Sequence, residues 1–357
     1  MTTTQTHTVA HFEIQHTQFI DALGHATQPL PECVTQQTLV DFYQAMLTLR
    51  CFDEKAIKLQ RTGNMGTYPS CRGAEAINVG IAAALDDSDV FCPYYRDQGI
   101  LMQRSGDFSG VLQYWGGDER GSLNQHQQDL PICVPIASQC LHAAGIAFSM
   151  QYRKQARAAL CTLGEGGTSE GDFYEAMNVA GTWNLPLVFV VNNNQWAISV
   201  PLSEQTRCQT IAQKAIAAGI PGVQIDGNDV VAVHHAVTAA LHQARQGNGP
   251  TLIEAVSYRL SDHTTADDAT RYQQNAQRQT AEQQEPLIRL QRYLTDQQYL
   301  TQTDIDRLQQ QANQTVKQAV ADYSASSPVS PTSAFDYLYA SLPDAYIEQY
   351  DDIGAQS

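Results

Sequence analysis

Residues 187–191 read LVFVV, so the strand they would form is apolar on both faces. Such a strand must be covered on both sides, which points to a parallel sheet with helices above and below. A second short apolar run lies at 158–163. Between the two runs, Phe173, Ala176, Met177, Ala180 and Trp183 recur at helical spacing. Strand, helix and strand in this order form a βαβ unit. Ser169 with Asp172 three residues on suits a capping pair at the start of the helix.

The pattern continues with a strand at 222–225, a helix at 230–245 and a strand at 251–258. Upstream, Leu39, Phe42, Met46, Leu47, Leu49, Ala56, Ile57 and Leu59 predict a helix over 38–60. A glycine-punctuated loop at 62–73 and a helix at 75–85 follow. Beyond Pro286 the chain turns Gln-rich and helical, at 287–294 and 303–321. The expected organisation is an accessory arm at 1–36, an α/β domain at 37–285 and a helical C-terminal extension at 286–357.

The first βα turn reads LGEGGTSEGD at 163–172. Glycines between a strand and a helix let the backbone approach a phosphate at the carboxyl edge of the sheet. A nicotinamide-dinucleotide turn would need a third glycine where Ser169 stands, and Glu165 would repel a bare pyrophosphate. The acid makes sense if a metal sits between carboxylate and phosphate. The next strand ends in Asn192-Asn193-Asn194. Adjacent parallel strands end about 5 Å apart, so Glu165 and Asn194 can offer hard oxygen ligands to one magnesium ion.

Gly164-Glu165-Gly166, the 26 residues 167–192 and Asn193-Asn194 together resemble the thiamine-diphosphate-binding motif. The text GTSEGDFYEAMNVAGTWNLPLVFVVNNNQWAIS is similar to the alpha subunit of the decarboxylating component of 2-oxo acid dehydrogenases, and the resemblance runs from about 42 to 342. It implies a parallel-sheet thiamine-diphosphate-binding fold with helices on both faces. It assigns magnesium to Glu165, Asn194 and the carbonyl of Trp196, with Gly164 and Gly166 beside the cofactor. Tyr95 and Arg96, in PYYRD, resemble an element that contacts the diphosphate, which a planar guanidinium suits. The segment CVPIASQ at 133–139 matches one whose backbone, through Val134 and Ile136, faces the aminopyrimidine. Some relatives bind a monovalent cation there. Arg259 and His263 hold the positions of an active-site Arg and His that line the diphosphate and the reacting carboxylate, and His263 is the expected proton donor near neutral pH. Some relatives are phosphorylated on a Ser just after that His; here Thr264 and Thr265 follow, and no such regulation is carried over. Many relatives also carry a His just after a Trp–Gly region. Here WGGDERGS at 115–122 has none before His126, and whether His126, Arg120 or nothing replaces it stays open.

Thiamine chemistry also needs a carboxylate at the aminopyrimidine. In this superfamily that acid lies on a second domain, for which this chain shows no counterpart. The resemblance therefore implies a separate beta subunit in an α2β2 heterotetramer, a 2-oxo acid substrate (pyruvate first, branched-chain acids or acetoin next) and a lipoyl-bearing dihydrolipoyl acyltransferase as acceptor. Acidic residues outnumber basic ones 37 to 21, which disfavours a nucleic-acid binder. No run reaches the roughly 18–20 apolar residues of a membrane helix. The polar start of the chain does not read as a secretory signal, and the eight Cys form no CxxC pair. A cytoplasmic enzyme is expected.

Overall fold

The structure, a computed structural model, describes residues 6–123, 126–336 and 338–355; the first five residues of the arm and the last two of the C-terminal extension lie outside them. Among the described residues eight strands form: β1 (His16–Thr17), β2 (Val90–Cys92), β3 (Ala159–Gly164), β4 (Leu187–Asn193), β5 (Trp196–Ala197), β6 (Val200–Pro201), β7 (Gly222–Asp226) and β8 (Thr251–Val256). Six make one sheet in the order β1-β7-β8-β4-β3-β2, and every neighbouring pair is parallel. β5 and β6 form a small antiparallel hairpin. β4 is buried along its whole length, as a strand apolar on both faces requires.

The helices are α1 (Gln36–Arg61), α2 (Glu75–Ala84), α3 (Gln98–Ser105), α4 (Phe108–Trp115), α5 (Ser138–Tyr152), α6 (Gly171–Trp183), α7 (Leu202–Gln205), α8 (Lys214–Ala218), α9 (Val230–Arg245), α10 (Asn275–Gln283), α11 (Pro286–Asp296), α12 (Gln302–Ser324) and α13 (Ile347–Ala355). On one face α2 packs on α9, and α1 carries α11 and α12 outside them. On the other, α5 packs against α6. Two apolar cores result, one per face of the sheet: Ile77, Val190, Val233 and Ile253 lie in the first, and Ala143, Phe173, Phe189 and Val191 in the second. No described helix is long and apolar enough to cross a membrane.

Two features differ from expectation. The arm is not merely accessory from residue 16 onward: β1 pairs with β7, Phe19 and Ile20 are buried, and both their amides donate to the Asp229 carboxylate at 2.6 and 2.8 Å. Ser169 does not cap α6. It ends a short 3₁₀ turn, Glu165–Ser169, and the helix begins at Gly171 without a side-chain cap.

Candidate active site

Four loops leave the carboxyl ends of four neighbouring strands, where ligands of open parallel sheets bind. β2 delivers Tyr94, Tyr95 and Arg96; β3 delivers Glu165; β4 delivers Asn194; β8 delivers Arg259 and His263. They surround a cavity of about 400 Å³. Tyr95, Arg96, Val134, Ile136, Gly164, Glu165, Gly166, Asn194, Trp196 and His263 all line it.

Glu165 is 2% exposed and Asn194 7%. The Asn194 amide donates to Glu165 Oε2 at 3.2 Å, and the Trp196 amide donates to Asn194 Oδ1 at 3.2 Å. Burial raises the Glu165 pKa, partly offset by hydrogen bonds, from the Asn194 amide among others, and by Arg259. The turn is braced from below: the Thr168 hydroxyl donates to the Glu165 carbonyl at 2.6 Å, and buried Lys214 donates to the Thr168 carbonyl and hydroxyl at 2.7 and 2.9 Å. Gly166 packs so closely on β5 that a Cβ there would stand 2.7 Å from that of Ala197. One buried carboxylate beside an amide oxygen and a backbone carbonyl is a donor set that suits a hard divalent cation. Among the described residues no group of three or more His, Cys, Asp or Glu is placed to hold a metal ion.

Arg96 is 3% exposed, and its hydrogen bonds go to the Ser70 carbonyl and to the carbonyl and Nδ1 of His263, at 3.0 and 3.3 Å for the latter pair. Its Nε is buried without a partner among the described residues. Burial pushes the adjacent Asp97 carboxyl up to about 8, partly offset by hydrogen bonds and by Arg96, and its oxygen accepts from the Tyr94 amide and the Thr162 hydroxyl. Burial, Arg96 and Arg259 push the His263 pKa down to about 4. This direction favours the neutral ring.

Arg259 stands behind the cavity wall. It is buried but does not line the cavity. Its guanidinium donates to the carbonyls of Trp196 and Ile198 at 3.3 and 2.7 Å and to the Tyr272 hydroxyl at 2.7 Å. Its own amide donates to the Asn194 carbonyl at 3.1 Å, which fixes the side chain behind the 196–198 turn. His126 and Arg120 also lie elsewhere. The His126 ring accepts from Arg104 at 3.3 Å, Arg120 pairs with Asp118 at 2.7 Å, and neither lines the cavity.

Sequence reasoning missed Tyr94, which lines the cavity and accepts a hydrogen bond from Asn192 at 2.9 Å. The double Tyr before Arg96 was the available signal. It also passed over Gln139, 2% exposed and cavity-lining, whose Nε2 donates to the Thr162 carbonyl at 2.7 Å while Oε1 has no partner among the described residues.

A profile of the family described as dehydrogenase E1 component matches residues 43–332. The chain is 37% identical over 317 residues to the pyruvate dehydrogenase E1 component subunit alpha of Mycoplasma genitalium, covering 88% of each. It is 37% identical over 323 residues to the same-named subunit of Acholeplasma laidlawii, covering 89% of this chain and 93% of that one. It is also 43% identical over 263 residues to the 3-methyl-2-oxobutanoate dehydrogenase subunit alpha of Mycobacterium tuberculosis, covering 73% and 72%.

Proposed function

The chain belongs to the dehydrogenase E1 component family, and from that membership we propose how its own residues divide the work. It is an oxidoreductase of the 2-oxo acid dehydrogenase type that uses thiamine diphosphate to decarboxylate a 2-oxo acid, as the alpha partner of a beta subunit. When bound, thiamine diphosphate supplies the electron sink for the bond that breaks as carbon dioxide leaves.

Glu165, Asn194 and the Trp196 carbonyl would hold magnesium against the diphosphate, with Gly164 and Gly166 giving the backbone close approach. Buried oxygens on neighbouring strand ends support this assignment. Arg96, with Tyr95 beside it, donates to the diphosphate; the unpartnered Nε supports that role. Val134 and Ile136 present backbone to the aminopyrimidine, and the orphaned Oε1 of Gln139 suits a monovalent cation at the same segment. Arg259 acts from behind, holding the carbonyls of residues 196 and 198 in place. His263 faces the reacting group. Anionic cofactor and substrate offset Arg96 and Arg259, so their arrival raises the His263 pKa toward neutrality and prepares it to donate a proton.

All these residues fall within 37–285, which we take as the catalytic domain between the arm at 1–36 and the extension at 286–357. We take pyruvate as the substrate and the lipoyl group of a dihydrolipoyl acyltransferase as acceptor, in an α2β2 assembly. Eight free thiols suit a reducing, cytoplasmic setting. A branched-chain 2-oxo acid is the second reading, favoured by the 43% identity to the Mycobacterium tuberculosis protein. The convergence of four strand ends on one cavity carries the proposal. Decarboxylation of pyruvate against 2-oxoisovalerate by the reconstituted alpha–beta enzyme tests it; turnover of neither acid refutes it.

A further inference from the structure

Helix α1 turns Leu49, Phe52, Asp53 and Ala56 inward, and all four are buried. An acid on that face is out of place. Aspartate is a weak helix former, and a buried carboxylate is costly unless its oxygens are satisfied. Asp53 is 1% exposed, and its hydrogen-bond partners are three neutral donors on one short strap, 68–71. The Ser70 hydroxyl donates to Oδ2 at 2.5 Å, and the Cys71 amide and the Tyr68 hydroxyl donate to Oδ1 at 2.6 and 3.1 Å. Burial pushes the carboxyl up to about 6, with Glu75 adding to the rise and these hydrogen bonds partly offsetting it.

The strap held in this way touches both sides of the cavity, which Thr67 and Pro69 line. At its front, the Gly66 amide donates at 3.0 Å to the carbonyl of Trp115, itself a lining residue. On one side the Ser70 carbonyl accepts from Arg96, and Gln98 donates to the carbonyls of Pro69 and Tyr95 at 3.1 and 3.0 Å. On the other side the Thr265 amide donates to the Tyr68 carbonyl at 3.0 Å, and the Tyr68 amide to the Thr265 hydroxyl at 3.1 Å. The two sides meet where Arg96 donates to the His263 carbonyl at 3.0 Å. Strap, Arg96 and active-site loop thus close a ring of contacts, and Asp53 fixes the strap to α1.

We propose that Asp53 is a positioning residue that sets, through the 68–71 strap, where Arg96 and His263 stand in the cavity. The proposal rests on reading the cavity as the site of thiamine diphosphate and the 2-oxo acid. An ionised carboxylate only accepts, so all three donors of the strap can turn to it at once. Hydrogen bonds onto a charged acceptor are also stronger than neutral ones. Placement of this kind matters for rate, since a displacement of about 1 Å can cost on the order of 10²-fold. Asparagine can keep the three contacts, with Oδ1 accepting from Cys71 and Tyr68 and the amide donating to the Ser70 hydroxyl. Alanine keeps none.

The test uses the reconstituted alpha–beta enzyme. Before cofactor is added, hydrogen exchange in peptides covering 66–73 and 262–266 should quicken roughly tenfold or more in Asp53→Ala, as for one or two lost buried hydrogen bonds. It should stay near wild type in Asp53→Asn. With saturating thiamine diphosphate and magnesium, Asp53→Ala should lose about 10- to 100-fold in kcat on pyruvate or 2-oxoisovalerate. Its calorimetric affinity for thiamine diphosphate should fall as well, because Arg96 and His263 move together, and Asp53→Asn should recover most of both. If Asp53→Ala does not fold, Ser70→Ala carries the test: it removes the hydroxyl donor, keeps the carbonyl that Arg96 uses, and should lose roughly 2- to 10-fold in kcat. A folded Asp53→Ala with wild-type kcat and cofactor affinity overturns the proposal, whatever its thermal midpoint. So does an asparagine variant as impaired as the alanine one, and so does wild-type turnover in Ser70→Ala. If wild type decarboxylates neither acid, the reading of the site fails and takes this proposal with it.

Discussion

Glu165 sits where removing one atom type isolates one role. Glu165→Gln keeps the volume of a buried side chain and removes the charge that would face the metal. Asn194→Ala removes the neighbouring oxygen. We expect both variants to fold and to lose magnesium-dependent thiamine diphosphate affinity by on the order of 10²-fold or more, given that even outer-shell changes cost 10- to 100-fold. Unchanged calorimetric affinity in both would remove these residues from the site. His263 allows a pH test with a definite sign. Its pKa is about 4 in the folded chain against a reference near 6.5. The unfolded chain therefore takes up a proton first, and acidification from about 6.5 to 4 costs stability. His263→Gln should flatten the fall in thermal midpoint over that window. Diphosphate binding, by offsetting Arg96 and Arg259, should be accompanied by proton uptake, seen as a buffer-dependent heat; identical heats in buffers of different ionisation enthalpy would contradict the coupling.

Among the elements, the 3₁₀ turn after β3 is held by a relay from Lys214 through Thr168 to the Glu165 carbonyl. Lys214→Met should cost about 1.5–3 kcal/mol, the range for a hydrogen bond to a charged group, and should weaken metal-dependent cofactor binding. A denaturant midpoint equal to wild type would show the lysine to be a bystander. Nothing in the sequence near 165 announces Lys214, because the two meet only through the packing of α8 beneath α6. Much else was legible. The apolar run at 187–191 implied a strand covered on both faces, and β3, α6, β4, β7, α9 and β8 follow the periodicity closely. The edge strands β1 and β2 escaped, since two or three residues are too few for a period-2 pattern to register. Motif spacing located Glu165 and Asn194. It could not tell which way Arg259 turns, because that depends on the carbonyls at 196 and 198, which are free to accept its fork.

For the molecule as a whole, the decisive question is what the chain does without its partner. Helix α5 buries Cys140, Ala143 and Ala147 but leaves Leu141, Phe148 and Tyr152 at 38%, 43% and 79% exposure, with Trp183 beside Phe148 at a ring distance of 5.2 Å. An apolar stripe of this kind on a chain with a net charge of −16 is a surface to be covered. Purified alone, with thiamine diphosphate, magnesium and ferricyanide as acceptor, the chain should not turn over pyruvate, because the carboxylate required at the aminopyrimidine is expected on the beta subunit. Co-expression with that subunit should restore activity in an assembly of about four chains. Turnover by the isolated chain would mean that the missing acid lies within it.

The pairing of β1 with β7 also sets an order of events during synthesis. His16 meets Gln224, 208 residues later. At about 5–20 residues per second, the first strand waits on the order of 10–40 s for its neighbour to be made. The cavity wall at Trp115 gains contacts later in the chain still: Tyr323 donates to the Asn64 carbonyl at 2.8 Å and Arg120 to that of Ser327 at 2.6 Å, and these form only once α12 and the residues just past it have left the ribosome. A nascent chain thus carries the braced turn after β3 well before it carries the completed cavity wall at Trp115.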